Sequence, residues 1–222
     1  MTYRQLTIEE REQLQHQGCT ATDWDAVEVV EGFEAMYVQN VAFSGKVRLG
    51  RFERSFVQPG GFEVHSGVYH ARLHNVTIGD DCYIDRIHNY IANYEIGDDV
   101  FIENTNLIVV DGEAMFGNGV RVPVMNESGG REVPIYDNLS AHLAYILTLY
   151  RHEYELIAKL ENLIDEYVEE QKSDVGKIGN NVHIVNCGTI KNVRIGDCAT
   201  LGGVSKLKNG SINSNCYAPV HI

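Results

Sequence analysis

The sequence predicts a mainly β protein whose chain winds as a stacked coil of short strands, interrupted by one helical insertion. Three observations carry this. The phrase Ile78-Gly79-Asp80-Asp81-Cys82-Tyr83-Ile84 returns eighteen residues later as Ile96-Gly97-Asp98-Asp99-Val100-Phe101-Ile102. A bulky residue recurs at every sixth position, at Ile78, Ile84, Tyr90, Ile96, Ile102 and Ile108. From Asn138 to Ser173 there is neither glycine nor proline, and apolar residues alternate steps of four and three. A period of six nested in eighteen fits neither helix nor hairpin. It suits a chain that turns three corners per pass, each pass resting on the last with every sixth side chain inward.

Residues 1–40 read as an N-terminal cap. Thr7 followed by Glu10 is a capping-box pattern, and Leu6 and Leu14 can dock the helix it starts. Residues 41–122 read as coils, less regular at first. Val41 and Val47 are six apart, Leu49-Gly50 echoes the Ile-Gly of the phrase, and Phe116-Gly117 opens a further copy. Residues 123–175 read as an inserted loop and a long α-helix, or two helices in line. The apolar seam is Leu139, Leu143, Ile146, Tyr150, Ile157, Leu160, Ile164 and Tyr167, with Glu153 the one exception. Coils resume over 176–222, beginning with Ile178-Gly179-Asn180-Asn181. The last coil is apolar and carries no capping helix, so the coils are expected to be truncated here and to continue in a longer protein or be covered by a partner.

A length of 222 residues fits one large domain, or one domain with an insertion, and 44% hydrophobic residues can supply its core. The formal net charge of -13 argues against nucleic-acid or anionic-membrane partners, whose recognition needs clustered Lys and Arg. The charged N-terminus lacks a signal peptide's apolar core, and no apolar run approaches a membrane span, so a cytoplasmic protein is expected. The five cysteines form no CxxC pair and are expected to be reduced, buried thiols.

The Ile-Gly phrases at Ile78-Gly79, Ile96-Gly97, Ile178-Gly179 and Ile195-Gly196 resemble the hexapeptide repeat of left-handed parallel β-helix proteins, an acyltransferase-like superfamily. The loop and long helix between coils resemble an uncharacterised group of larger bacterial hexapeptide-repeat proteins. The resemblance implies a triangular prism, a homotrimer with ligands between prisms, and acyl- or acetyl-CoA as co-substrate. The implied activity is acyl transfer from a CoA-type thioester to a sugar- or nucleotide-linked acceptor. The alternative, taken second, is a non-catalytic oligomerisation or binding scaffold, or the fused part of a sugar-phosphate nucleotidyltransferase.

Such enzymes use a histidine as general base, and His70, His88 and His65 are the candidates, with His74 close by in sequence. His70 and His88 are eighteen apart and would stack on one face if the register holds. His65 and His70, with His88 as third ligand, also resemble the histidine spacing of hexapeptide-repeat carbonic anhydrases. The order departs from that family, and no metal is expected. For substrate binding the candidates are Asn126, Glu127, Gly129, Gly130, Arg131 and Glu132. There a glycine pair can turn amides towards an anion and Arg131 can hold it. For the cofactor they are Gly202, Gly203 and Lys206. The competing readings are surface, turn or satisfied inward histidines, a flexible coil-to-helix connection, and a solvated corner, respectively.

Overall fold

The computed structural model describes residues 2–125 and 129–222. It is mainly β. At the N-terminus β1 (Tyr3–Gln5) precedes α1 (Ile8–His16), whose capping box forms: the Thr7 side chain accepts from the Glu10 amide, and Glu10 accepts from the Thr7 amide. After β2 (Thr20–Ala21) and β3 (Val27–Val30), the long strand β4 (Val38–Leu49) begins the stack. A hairpin of β5 (Ser55–Val57) and β6 (Glu63–His65) leads into β7 (Gly67–Ile78), β8 (Tyr83–Ile96) and β9 (Phe101–Val109).

The insertion consists of the antiparallel hairpin β10 (Val120–Pro123) and β11 (Glu132–Ile135), then α2 (Ala141–Leu149) and α3 (Tyr154–Glu170). The stack resumes with β12 (Gly176–Ile178), β13 (His183–Val185), β14 (Thr189–Ile195), β15 (Thr200–Gly202) and β16 (Lys206–Ile212).

The repeats pair in parallel. Ile78 lies opposite Ile96, Ile96 opposite Ile178, and Ile178 opposite Ile195. Ile84, Ile102, Ile184 and Leu201 form a second column. These side chains are buried and line one continuous core. The insertion is therefore threaded between two neighbouring passes, because Ile178 takes the place beside Ile96 that unbroken repetition would give a residue near 114.

Columns of residues with positive φ turn the chain: Asp81, Asp99, Asn181 and Cys198 in one, Asn104 and Asn186 in a second, Asn75 and Asn93 in a third. Short polar side chains tolerate this conformation best. Because a strand can turn such a corner without ending, β9 bonds β13 before Asn104 and β14 after it. The pairings β8–β12–β14–β9–β8 thereby close into a ring of four parallel strands. That ring, and not the left-handed β-helix expected from the phrase, is what the pairings establish.

The phrase itself has a stacking explanation. In successive passes the residue after glycine accepts the amide of the pass before: the Asp80 amide donates to Asp98 Oδ1, Asp98 to Asn180 Oδ1, and Asn180 to Asp197 Oδ1, at 2.8–2.9 Å. The next position carries positive φ. An Ile-Gly-Asp/Asn pattern thus follows from close vertical stacking of passes and does not single out a family.

One expectation is narrowed and another changes. Of the two forms expected for the 138–173 seam, the structure takes the second: α2 and α3, separated at Tyr150–Glu153. Not all cysteines are free: Cys198 and Cys216 are disulfide-bonded, while Cys19, Cys82 and Cys187 are buried thiols. Among the described residues no helix is long and apolar enough to cross a membrane.

Candidate functional site

The predicted histidines must be placed by register. Tyr69 pairs with Asp85, sixteen residues on, whereas Leu73 pairs with Ile91, eighteen on. Two extra residues therefore bulge from β8 between Asp85 and Ile91. On its other side β8 also slips against β9, between Ile87 and Tyr90. His88 sits inside this double irregularity and is exposed. Bulges re-aim side chains and gather beside functional sites. The expected stacking of His70 on His88 fails as a register, yet the bulge brings both to one hollow of about 240 Å³, with Asn40 and Arg72.

His70 occupies a corner at φ +47, unusual for a side chain of its size. Its Nδ1 lies 3.0 Å from Asp85 Oδ1. Asp85 is buried, and its other oxygen accepts the Tyr83 hydroxyl at 3.2 Å. Burial above all, with Asp85 as a further cause, pushes the Tyr83 phenol pKa up, so that hydroxyl stays a donor. The carboxylate accepts Nδ1–H and leaves the lone pair on Nε2, which faces Asn40 Nδ2 at 3.4 Å. The His70 side chain is 60% exposed while that of Asp85 is 12% exposed, a buried carboxylate orienting an accessible imidazole. His88 is held differently: its Nε2 lies 2.7 Å from Asn104 Oδ1, whose own Nδ2 donates to Asn186. His88 therefore carries its proton on Nε2.

A larger groove of about 670 Å³ adjoins the hollow and shares Thr20, Ala42 and Arg72 with it. Ser44, His74, Tyr90 and Val109 also line it. Its acidic member, Asp111, is ion-paired with Lys191, which holds its carboxyl below the usual range.

The other predicted residues do not join this site. His65 stacks on Tyr37 with ring centroids 3.8 Å apart, and its Nδ1 bonds the Ser66 carbonyl at 2.9 Å. Arg131 is exposed on the β10–β11 hairpin and lines neither cavity. In the same turn the Gly130 amide donates to Glu132 Oε1 at 2.8 Å, so the loop's own carboxylate holds the amide expected to face an anion. Asn126 and Glu127 lie outside the described residues. The Gly202 amide donates to the Ile222 carbonyl and the Gly203 amide to the Val185 carbonyl, which leaves neither for a cofactor phosphate. Lys206 is exposed on β16. Among the described residues no group of three or more His, Cys, Asp or Glu side chains is placed to hold a metal ion.

Asp85, Asn40, Arg72 and Ser44 were not singled out by sequence reasoning. Asn40 is a corner residue, Arg72 and Ser44 are placed by the pairing of β4 with β7, and the bulge after Asp85 leaves no mark in the repeat beyond its irregular spacing around His88.

Fold and site together define a class: a mainly β protein of stacked parallel passes with a histidine-lined groove on one face. The chain belongs to the family described as Domain of unknown function (DUF4954), whose model matches residues 3–222. That membership overturns the expected placement in the hexapeptide-repeat, acyltransferase-like superfamily. A relative, an uncharacterized protein of Treponema pallidum (strain Nichols), is 28% identical over 231 residues. The match covers 99% of this chain, which spans 32% of that relative's length.

Proposed function

We propose that the hollow and groove form a group-transfer site in which His70 is the general base. The observation that carries this is the 3.0 Å contact between His70 Nδ1 and the buried carboxylate of Asp85. A carboxylate fixed on Nδ1 sets the tautomer, leaves Nε2 as the basic nitrogen in the hollow beside Asn40 and stabilises the imidazolium formed when a proton is taken. Nε2 removes the proton of an acceptor hydroxyl or amine as that atom attacks an acyl carbon. The carbon–sulfur bond of a thioester donor breaks, and the departing thiolate takes the proton from His70. The acceptor is a sugar- or nucleotide-type small molecule lying in the groove, and acetyl-CoA is the donor to try. Because the chain spans a third of its relative's length, the activity of a longer protein remains a separate matter.

The test is thiol release from acetyl-CoA in the presence of sugar phosphates and nucleotides, alongside melting temperatures with each compound. Turnover is expected to fall by about two orders of magnitude or more in His70→Gln. Asp85→Asn is expected to lower it and to change its pH profile, because the amide no longer stabilises the imidazolium. Absence of turnover with every pair, or an unchanged rate in His70→Gln, ends the reading.

A further inference from the structure

Beyond His70, the groove carries an anion-recognition set that base chemistry does not use. We propose that it is a subsite for a phosphate-bearing small molecule with an aromatic body, its phosphate held by Arg72 and Ser44 and its ring set against Tyr90. This deepens the reading above by naming the ligand class, and it rests on the shared groove, not on the reactivity of His70.

Arg72 and His74 are two residues apart on β7, so their side chains leave the same face, about 7 Å apart along the strand. Ser44 stands opposite His74 on the neighbouring strand. Among the described residues the Arg72 side chain has no ion pair and no hydrogen bond, although the chain carries a net charge of -13. Asp111, the acid of the groove, is taken by Lys191. An exposed guanidinium left unpaired in a recess of an acidic protein is a receptor for an oxyanion, which it grips in two-pronged fashion.

The hydrogen-bond network decides what Ser44 does. The Lys46 amide donates to Asn75 Oδ1 at 3.0 Å, which fixes the orientation of that amide group. Asn75 Nδ2 then faces Asn93 Oδ1 at 3.2 Å and His74 Nε2 at 3.1 Å. His74 Nε2 must accept, so Nδ1 carries the proton and donates to Ser44 Oγ at 2.7 Å. Ser44 is therefore not an activated nucleophile, which would need Nδ1 unprotonated. Its own hydroxyl proton is free to point into the groove, beside Arg72. Tyr90 is 37% exposed, and Ala92 and Val109 complete an apolar wall. The volume, about 670 Å³, is that of a small-molecule site.

Calorimetric titration at fixed ionic strength with AMP, adenosine and inorganic phosphate tests this on the whole chain. AMP is expected to bind more tightly than either part. Arg72→Gln, at an exposed position, should weaken AMP about tenfold or more, and Ser44→Ala should weaken it less. Tyr90→Ala should weaken AMP but not phosphate. Circular dichroism confirms that each variant is folded. Unchanged AMP affinity in folded Arg72→Gln, or no AMP binding at millimolar concentration, overturns the subsite. AMP binding without any thioester turnover supports the subsite while ending the transfer reading. Turnover without AMP binding does the reverse.

Discussion

Gly97 lies outside the left-handed region of backbone space, so its lack of a side chain answers to space and not to φ. A Cβ there would sit 2.3 Å from Asn180 Oδ1 and 2.9 Å from the carbonyl carbon of Gly179 in the next pass. Gly50 and Gly79 meet the same obstacle, 2.4 and 2.6 Å from the carbonyl oxygens of Gly79 and Gly97. The glycine of each repeat is thus the point where one pass lies against the next. Gly97→Ala is expected to cost about 1–3 kcal/mol by overpacking. Gly202→Ala, where a Cβ meets nothing within 4 Å, should stay within about 0.5 kcal/mol. Equal losses in denaturant titrations of the two variants would refute the stacking explanation. At this scale much was legible: repeating Ile, Gly and Asp positions give the inward column, the contact point and the corner. What the repeat could not give was the His70–Asp85 contact, because it depends on residues sixteen and not eighteen apart being neighbours.

At the scale of elements, α2 and α3 belong to a core of their own. Val133, Leu147, Ile157, Ile164 and Val168 form a cluster separate from that of the stack. The seam periodicity runs through 138–173 without glycine or proline, which is why one long helix and two in line could not be told apart from the sequence. The break falls at Glu153, the one polar seam position. Beside it Arg151 bonds both Glu161 and the Glu132 carbonyl, tying the link between the helices to β11. Tertiary bonding of this kind leaves no periodic trace. Ile164→Ala should open a cavity in the small cluster at a cost of about 2–4 kcal/mol. Since that cluster is distinct, the loss should appear locally: amide exchange should quicken in 141–170 while the core amides of β8 and β9 keep their protection. Uniform loss of protection in both regions would show instead that the insertion and the stack unfold as one unit.

Over the whole molecule, the period that stacks the passes also places Cys198 and Cys216. They are eighteen residues apart, one pass, with Cα atoms 5.2 Å from each other. Cysteine counting found no pair because spacing motifs look for neighbours in sequence, whereas here the coil supplies the proximity. The bond closes a loop that contains β15 and β16, and the terminal segment returns over it where Thr200 bridges His221. β16 is held on one side by β14. Closing a loop of this length removes unfolded-state entropy of about 3 kcal/mol. For a chain of this size that corresponds to a melting temperature roughly 6–12 °C higher. Cys216→Ser should lose that increment, and so should the native chain in excess dithiothreitol, whereas adding the reductant to Cys216→Ser should change nothing more. The buried thiols Cys19, Cys82 and Cys187 remain as they are in all these samples, and burial pushes the pKa of each up, which keeps them unreactive. Thiol titration of the unreduced, denatured chain should accordingly count three groups and not five. A count of five, or a melting temperature indifferent to reductant, would remove the disulfide from the account of how the last passes are held.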